Sequence, residues 1–112
     1  MSFLKDFKPI KISKPAETDL KNIADYTLRE WGKLQKKNYL GMFKQSFLTL
    51  SQSPIDNNIM HLGRIREDIV NKLFSYRIKK HVVYFRETEH EFLIVRVLHS
   101  RMDPEKNLYD KF

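Results

Sequence analysis

Apolar side chains recur along this chain with two periods, and the change of period divides it. Over residues 16–50 they return every three or four positions, as on one face of a helix, whereas over residues 74–98 they alternate or run together, as in strands. Ala16, Leu20, Ile23, Ala24, Thr27, Leu28 and Trp31 mark a first amphipathic helix, in which Trp31 reads as core of a helical hairpin. Ser13 or Lys14 lies near its cap, Pro15 suits the first turn because its missing N–H is not needed there, and Glu17 and Asp19 complement the positive helix end. Gly32 is the predicted stop, since glycine adopts the left-handed C-cap conformation without steric cost. Leu34, Leu40, Phe43, Phe47 and Leu50 mark a second helix, ending at Ser51-Gln52-Ser53-Pro54. So short a joint predicts an antiparallel hairpin. Gly41 within the second helix reads either as close packing against the first or as a surface glycine.

Ahead of the helices, Pro9 to Ser13 reads as a short strand with Ile10 and Ile12 on one face. Behind them, residues 55–68 are polar and unpatterned, a loop with room for one short strand. Three strands follow, Lys72 to Ile78, His81 to Arg86 and Phe92 to Leu98; Val82 and Tyr84 face opposite to Val83 and Phe85. Short connections at Lys79-Lys80 and Glu87 to Glu91 predict an antiparallel meander. The fold class is therefore α+β: an N-terminal strand, an antiparallel helical hairpin packed on an antiparallel sheet whose other face is partly exposed, and a short C-terminal helix or tail. With 112 residues there is room for one domain, read as residues 8–112 behind an extension of residues 1–7.

The last strand ends abruptly in His99-Ser100-Arg101-Met102-Asp103-Pro104. Strand ends are where a rigid scaffold presents polar groups, so Arg96, His99 and Arg101 are the candidates for contact with a target. Asp103 reads either as the partner of an arginine or as a cap for a short helix over Pro104 to Leu108. Arg96, spaced with Ile94 and Leu98, is either a paired arginine on the helix-covered side or a sign that this side is open.

Charge narrows the partner. Lys and Arg number 21 against 14 Asp and Glu, a net charge of +7, which calls for something acidic: nucleic acid, an acidic protein segment or an anionic membrane. No cysteine is present, which excludes disulfides and thiolate metal sites. His61, His81, His90 and His99 have none of the close spacings of zinc enzymes, and three glycines assemble neither a dinucleotide nor a phosphate loop. No cofactor or metal is expected. No apolar run approaches the ~20 residues that span a bilayer, and residues 1–11 do not read as a signal peptide, so a cytoplasmic protein is expected.

Asp19-Leu20, Ile23, Tyr26-Thr27, Trp31-Gly32, Gln35, Tyr39, Tyr84-Phe85-Arg86 and Ile94 to Asp103 together resemble the ParE branch of the RelE/ParE toxin superfamily, over about residues 8–104. The resemblance implies the toxin of a bacterial type II toxin–antitoxin pair, neutralised by an acidic ParD-like antitoxin. The ParE branch inhibits DNA gyrase; the RelE branch cleaves messenger RNA on the ribosome. For ribonuclease chemistry the candidates are His99, Arg96, Arg101, Arg86 and Tyr109, but the block from Leu98 to Asp103 matches the ParE pattern, so a binding-type inhibitor is expected rather than an enzyme. Tyr39 and Met42 on the second helix are the candidate anchors for the antitoxin. A direct nucleic-acid-binding module ranks third, since Phe74, Tyr76 and Tyr84 only faintly echo a base-stacking sheet.

Overall fold

The computed structural model describes residues 9–52, 64–65 in backbone only, 73–88, 90–102 and 106. The chain enters through β1 (Ile10–Ile12) and passes at once into α1 (Lys14–Gln52). Ser13 makes that junction. Its N–H donates to the Ile94 carbonyl at 3.0 Å, its hydroxyl donates to the Val95 carbonyl at 2.6 Å, and its Oγ accepts the Ala16 N–H at 3.1 Å. An N-cap of this kind contributes about 1 kcal/mol, and here it also ties the helix start to the sheet.

α1 is broken where predicted. Gly32 sits at φ 91° and ψ 176°, outside helical space, and separates an arm over residues 14–31 from one over residues 33–52. The arms share one core: Ala16 and Ile23 of the first pack with Phe43, Phe47 and Leu50 of the second against the sheet. A Cβ at Gly41 would meet nothing within 4 Å, so it is a surface glycine rather than a point of close approach. The expectation for Trp31 is corrected. It is 70% exposed, as Leu34 is 72%, because both flank Gly32 at the elbow of the hairpin.

The remaining strands are β2 (Arg64–Ile65), β3 (Phe74–Ile78), β4 (His81–Glu87) and β5 (Phe92–His99). β2 is the short strand expected within the 55–68 loop. The sheet order is β1-β5-β4-β3-β2, an antiparallel meander joined by β1, which runs parallel beside β5. Under the helices, Phe74, Ile78, Val83, Phe85, Phe92, Ile94 and Val97 complete the main core. The opposite face, read from the sequence as partly exposed, carries Val82 and Leu93 only partly buried. Leu73, Tyr84, Val95 and Leu98 form a second buried cluster there, which accounts for the nearly continuous apolar run of β5.

One irregularity interrupts the β4–β5 ladder. Glu87 pairs with Phe92 and Phe85 with Ile94, but Tyr84 pairs with Arg96, leaving Val95 as an extra residue on β5. This β-bulge shifts the phase of the strand. Ile94 therefore lies in the helix-side core and Leu98 in the opposite cluster, contrary to the simple alternation read from the sequence. Of the helix expected over Pro104 to Leu108, only Lys106 is described, and it is helical. Asp103 and Tyr109 lie outside the described residues.

Candidate functional site

Beyond the bulge, two clusters of polar groups form on β5. At the edge left uncovered where β1 ends, Asp19 of α1 replaces a neighbouring strand. Its Oδ2 accepts the Val97 N–H at 3.0 Å and the Arg96 Nε–H at 2.7 Å, while Oδ1 accepts from Arg96 Nη2 at 2.9 Å. The geometry is bidentate and mostly withdrawn from solvent, the strong form of such a pair. The hydrogen bonds to Asp19 hold the guanidinium more firmly protonated than an ordinary arginine, against the opposing effect of burial. Arg96 is 8% exposed and serves as an internal clamp between the first arm and β5.

The second cluster lines a groove of 640 Å³. Asn22, Ile23, Tyr26, Thr27 and Trp31 of the first arm form one wall, and Gln35, Asn38, Tyr39 and Met42 of the second form the other. Lys79 and Lys80 of the β3–β4 turn and the paired His81 and His99 close the end against the sheet. The turn has only two residues, and Lys79 takes φ 54°, a left-handed conformation unusual for a side chain other than glycine or asparagine. Ser100 N–H donates to the Lys80 carbonyl at 2.8 Å, which ties this turn to the one after β5.

The His81 imidazole is a neutral hydrogen-bond partner. His81 is pushed down to about 4 by burial, and further by the neighbouring His99, with Asp19 opposing weakly. Its Nδ1 lies 2.6 Å from the Tyr39 hydroxyl. Burial raises the Tyr39 phenol, and a backbone hydrogen bond from Lys80 partly offsets this. With the Tyr39 oxygen accepting from Lys80, its O–H is oriented to donate to His81. The rings of His81 and His99 meet edge to face at 5.3 Å, and His99 Nδ1 accepts the Arg101 N–H at 3.1 Å.

The residues singled out in the sequence therefore divide. Arg96 faces inward to Asp19, His99 lines the groove, and Arg101 is exposed on the turn beyond it. Tyr39 and Met42 stand together on the groove wall; Tyr39 also packs edge-on against Phe43 at 5.1 Å. Sequence reasoning missed His81, Lys79 and Lys80 as groove residues, and the exposed Trp31 and Tyr26. Unbroken alternation back from Glu87 and Phe92 would set His81 opposite Leu98; the bulge brings His99 there instead. Among the described residues no three His, Asp or Glu side chains are placed to share a metal ion, and no helix is long and apolar enough to cross a membrane.

Fold and site together define a small basic α+β domain with an open, largely apolar groove across a helical hairpin. The description "ParE toxin of type II toxin-antitoxin system, parDE" matches residues 10–104, and the chain belongs to this ParE toxin family. It is 29% identical over 103 residues to Toxin ParE of Escherichia coli, covering 89% of this chain and 92% of that one. It is 30% identical over 98 residues to Toxin ParE1 of Mycobacterium tuberculosis, covering 87% and 94%. The fold matches a solved structure described as the chromosomal ParDE TA system from P. aeruginosa, with a TM-score of 0.65 at 19% identity over 84% of this chain and 97% of that one.

Proposed function

We propose that this ParE-family toxin acts in the bacterial cytoplasm by binding DNA gyrase, and that an acidic ParD-like antitoxin neutralises it by seating apolar side chains in the hairpin groove. The observation that carries the reading is a convergence. Tyr26, Trp31, Gln35, Tyr39 and His99, scattered along the residues that resemble the ParE branch, line one groove with Lys79 and Lys80 at its end. A basic groove with exposed aromatic walls suits an acidic segment with apolar anchors: charge speeds encounter, and the anchors supply most of the affinity. Target contact is assigned to Arg101 and His99, with Arg96 acting indirectly through the clamp. Binding rather than chemistry fits the state of the titratable groups, since His81 is held neutral by burial and Arg96 is bonded to Asp19.

The test is a purified supercoiling assay. Gyrase inhibition with accumulation of cleaved DNA is expected, and Arg101→Ala should weaken it by about 1–2 kcal/mol, the increment of one contact in a surface. Ribosome-dependent cleavage of transcripts with gyrase untouched would establish the RelE-like alternative. Met42→Glu should weaken capture of a ParD-like antitoxin while leaving the fold intact; unchanged capture would remove the groove from the antitoxin interface.

A further inference from the structure

Where the hairpin groove meets the sheet, its backbone acceptors are already engaged. The Lys79 carbonyl accepts the Arg77 Nε–H at 2.8 Å, the Lys80 carbonyl accepts the Ser100 N–H at 2.8 Å, and the His99 carbonyl accepts the Met102 N–H at 2.9 Å. Among the described residues no aspartate or glutamate lines the groove. The imidazoles have used their accepting nitrogens too. The Arg101 N–H donates to His99 Nδ1 at 3.1 Å, and the Tyr39 hydroxyl, 2.6 Å from His81 Nδ1, is oriented to donate to it. A nitrogen that accepts carries no proton, so each ring bears its N–H at Nε2, the edge left for a ligand. Lys79 and Lys80, both exposed, add ammonium donors beside them. An end that offers N–H groups and positive charge, with its acceptors occupied, is complementary to an anion.

We infer that this end of the groove is a carboxylate subsite, an assignment that rests on the groove being the antitoxin's seat: Lys79, Lys80 and the Nε2–H groups of His81 and His99 receive an Asp or Glu side chain next to the apolar residue held between the arms. The walls select what carries the anion. Ile23, Tyr26, Trp31, Tyr39 and Met42 give the approach an apolar surface, which suits a peptide that places an acidic residue beside an apolar one. A phosphate backbone calls instead for a run of cations along its path, and among the described residues only Lys79 and Lys80 supply fixed positive charge here. Hydrogen bonds from these donors to an ionised acceptor are of the strong, charge-assisted kind. The subsite is also preformed. Both lysines sit in a two-residue turn between β3 and β4, and the Ser100 to Lys80 bond ties that turn to the one after β5, so little ordering remains to be done on binding.

Trp31 is the single tryptophan of the chain and lies on the groove wall, so its fluorescence reports occupancy, while the Nε2 resonances of His81 and His99 report the subsite. The probes are two peptides, acetyl-Leu-Glu-Leu-amide and acetyl-Leu-Gln-Leu-amide, titrated into the full chain at one ionic strength. The glutamate peptide should bind about tenfold more tightly than the glutamine peptide and shift both Nε2 signals. In Lys79→Gln with Lys80→Gln, at two exposed positions, that preference should fall about threefold or more while the glutamine peptide binds as before. Equal affinity of the two peptides for the parent chain overturns the subsite and leaves the groove as an apolar seat; an undiminished preference in the double variant overturns it as well. Inorganic phosphate that moves the same Nε2 signals at lower concentration than the glutamate peptide overturns it in favour of a phosphate site. A glutamate peptide that perturbs neither Trp31 nor the imidazoles also overturns it, and Met42→Glu, which tests the groove itself, separates that failure from loss of the antitoxin reading.

Discussion

The two polar clusters on β5 lie a few residues apart, yet they treat charge in opposite ways. At the Asp19–Arg96 clamp opposite charges are paired, and three hydrogen bonds satisfy the carboxylate against the arginine and the Val97 N–H. At His81 charge is suppressed: burial and the neighbouring His99 keep it neutral, and Tyr39 holds its Nδ1. The first arrangement suits a joint, because an ion pair so fully engaged fixes one geometry. The second suits a recognition surface. A neutral, half-buried ring beside a phenol and two lysines carries no ion pair that a ligand would have to break, while the clamp ties the first arm to β5.

Breaking the clamp should have the largest effect on stability. Arg96→Ala leaves the Asp19 carboxylate withdrawn from solvent with one of its partners gone, a change that costs about 3–5 kcal/mol at buried pairs. Urea unfolding should show the midpoint falling accordingly. Replacing both residues by apolar ones, Asp19→Leu with Arg96→Met, should recover part of the loss, since no orphaned charge remains. A single Arg96→Ala variant as stable as the parent would mean that the joint lies elsewhere, and Arg96 would return as a candidate for target contact.

The groove should show itself through pH. Unfolded, His81 takes up a proton near the ordinary imidazole value of 6.5; folded, it resists down to about 4. Between those values the unfolded chain binds more protons, so this contribution is complete above pH 6.5 and is lost as pH falls toward 4. Because the ring is only half-buried, the loss should be about 1–2 kcal/mol after allowance for solvent screening. His81→Gln, which keeps a hydrogen-bonding group toward Tyr39, should flatten the pH dependence in that window. An equally steep curve in the variant would place the acid sensitivity in other groups.

The contrast between the clusters also marks what the sequence could reveal. Features set by neighbours in the chain were legible: the Ser13 cap, the Gly32 break, the two helices and the meander with its two-residue turn. Tyr39 and Met42, which helical periodicity leaves off the core stripe, both line the groove, and Tyr39 is half-buried. What escaped depends on distant partners. Asp19 and Arg96 are 77 positions apart, and β1 joins the sheet beside β5 by a parallel pairing that no local pattern encodes. The bulge at Val95 carries no sequence mark, yet it sets His99 opposite His81 and sends Leu98 to the far face. Trp31 misled for a related reason: its spacing continues the apolar stripe, but the break at the next residue leaves it at the elbow.

The two helical glycines give a finer separation of clamp from groove. Gly32 has φ +91°, so an alanine there is strained even though no atom crowds the added Cβ. Gly32→Ala should cost about 1–2 kcal/mol and disturb the angle between the arms that form the groove walls, while the Asp19–Arg96 bonds persist. Gly41 is helical, with open space around its Cβ position, so Gly41→Ala should instead stabilise by about 0.5–1 kcal/mol through the entropy of the unfolded chain. It precedes Met42 on the groove wall, and that makes the measurement informative. If the groove seats an acidic antitoxin as proposed, a stiffer second arm that binds it as well as before implies a groove already shaped for its ligand. Weaker binding despite the gain in stability implies that the arm bends to admit it, which thermal melting and partner titration on the same sample would reveal.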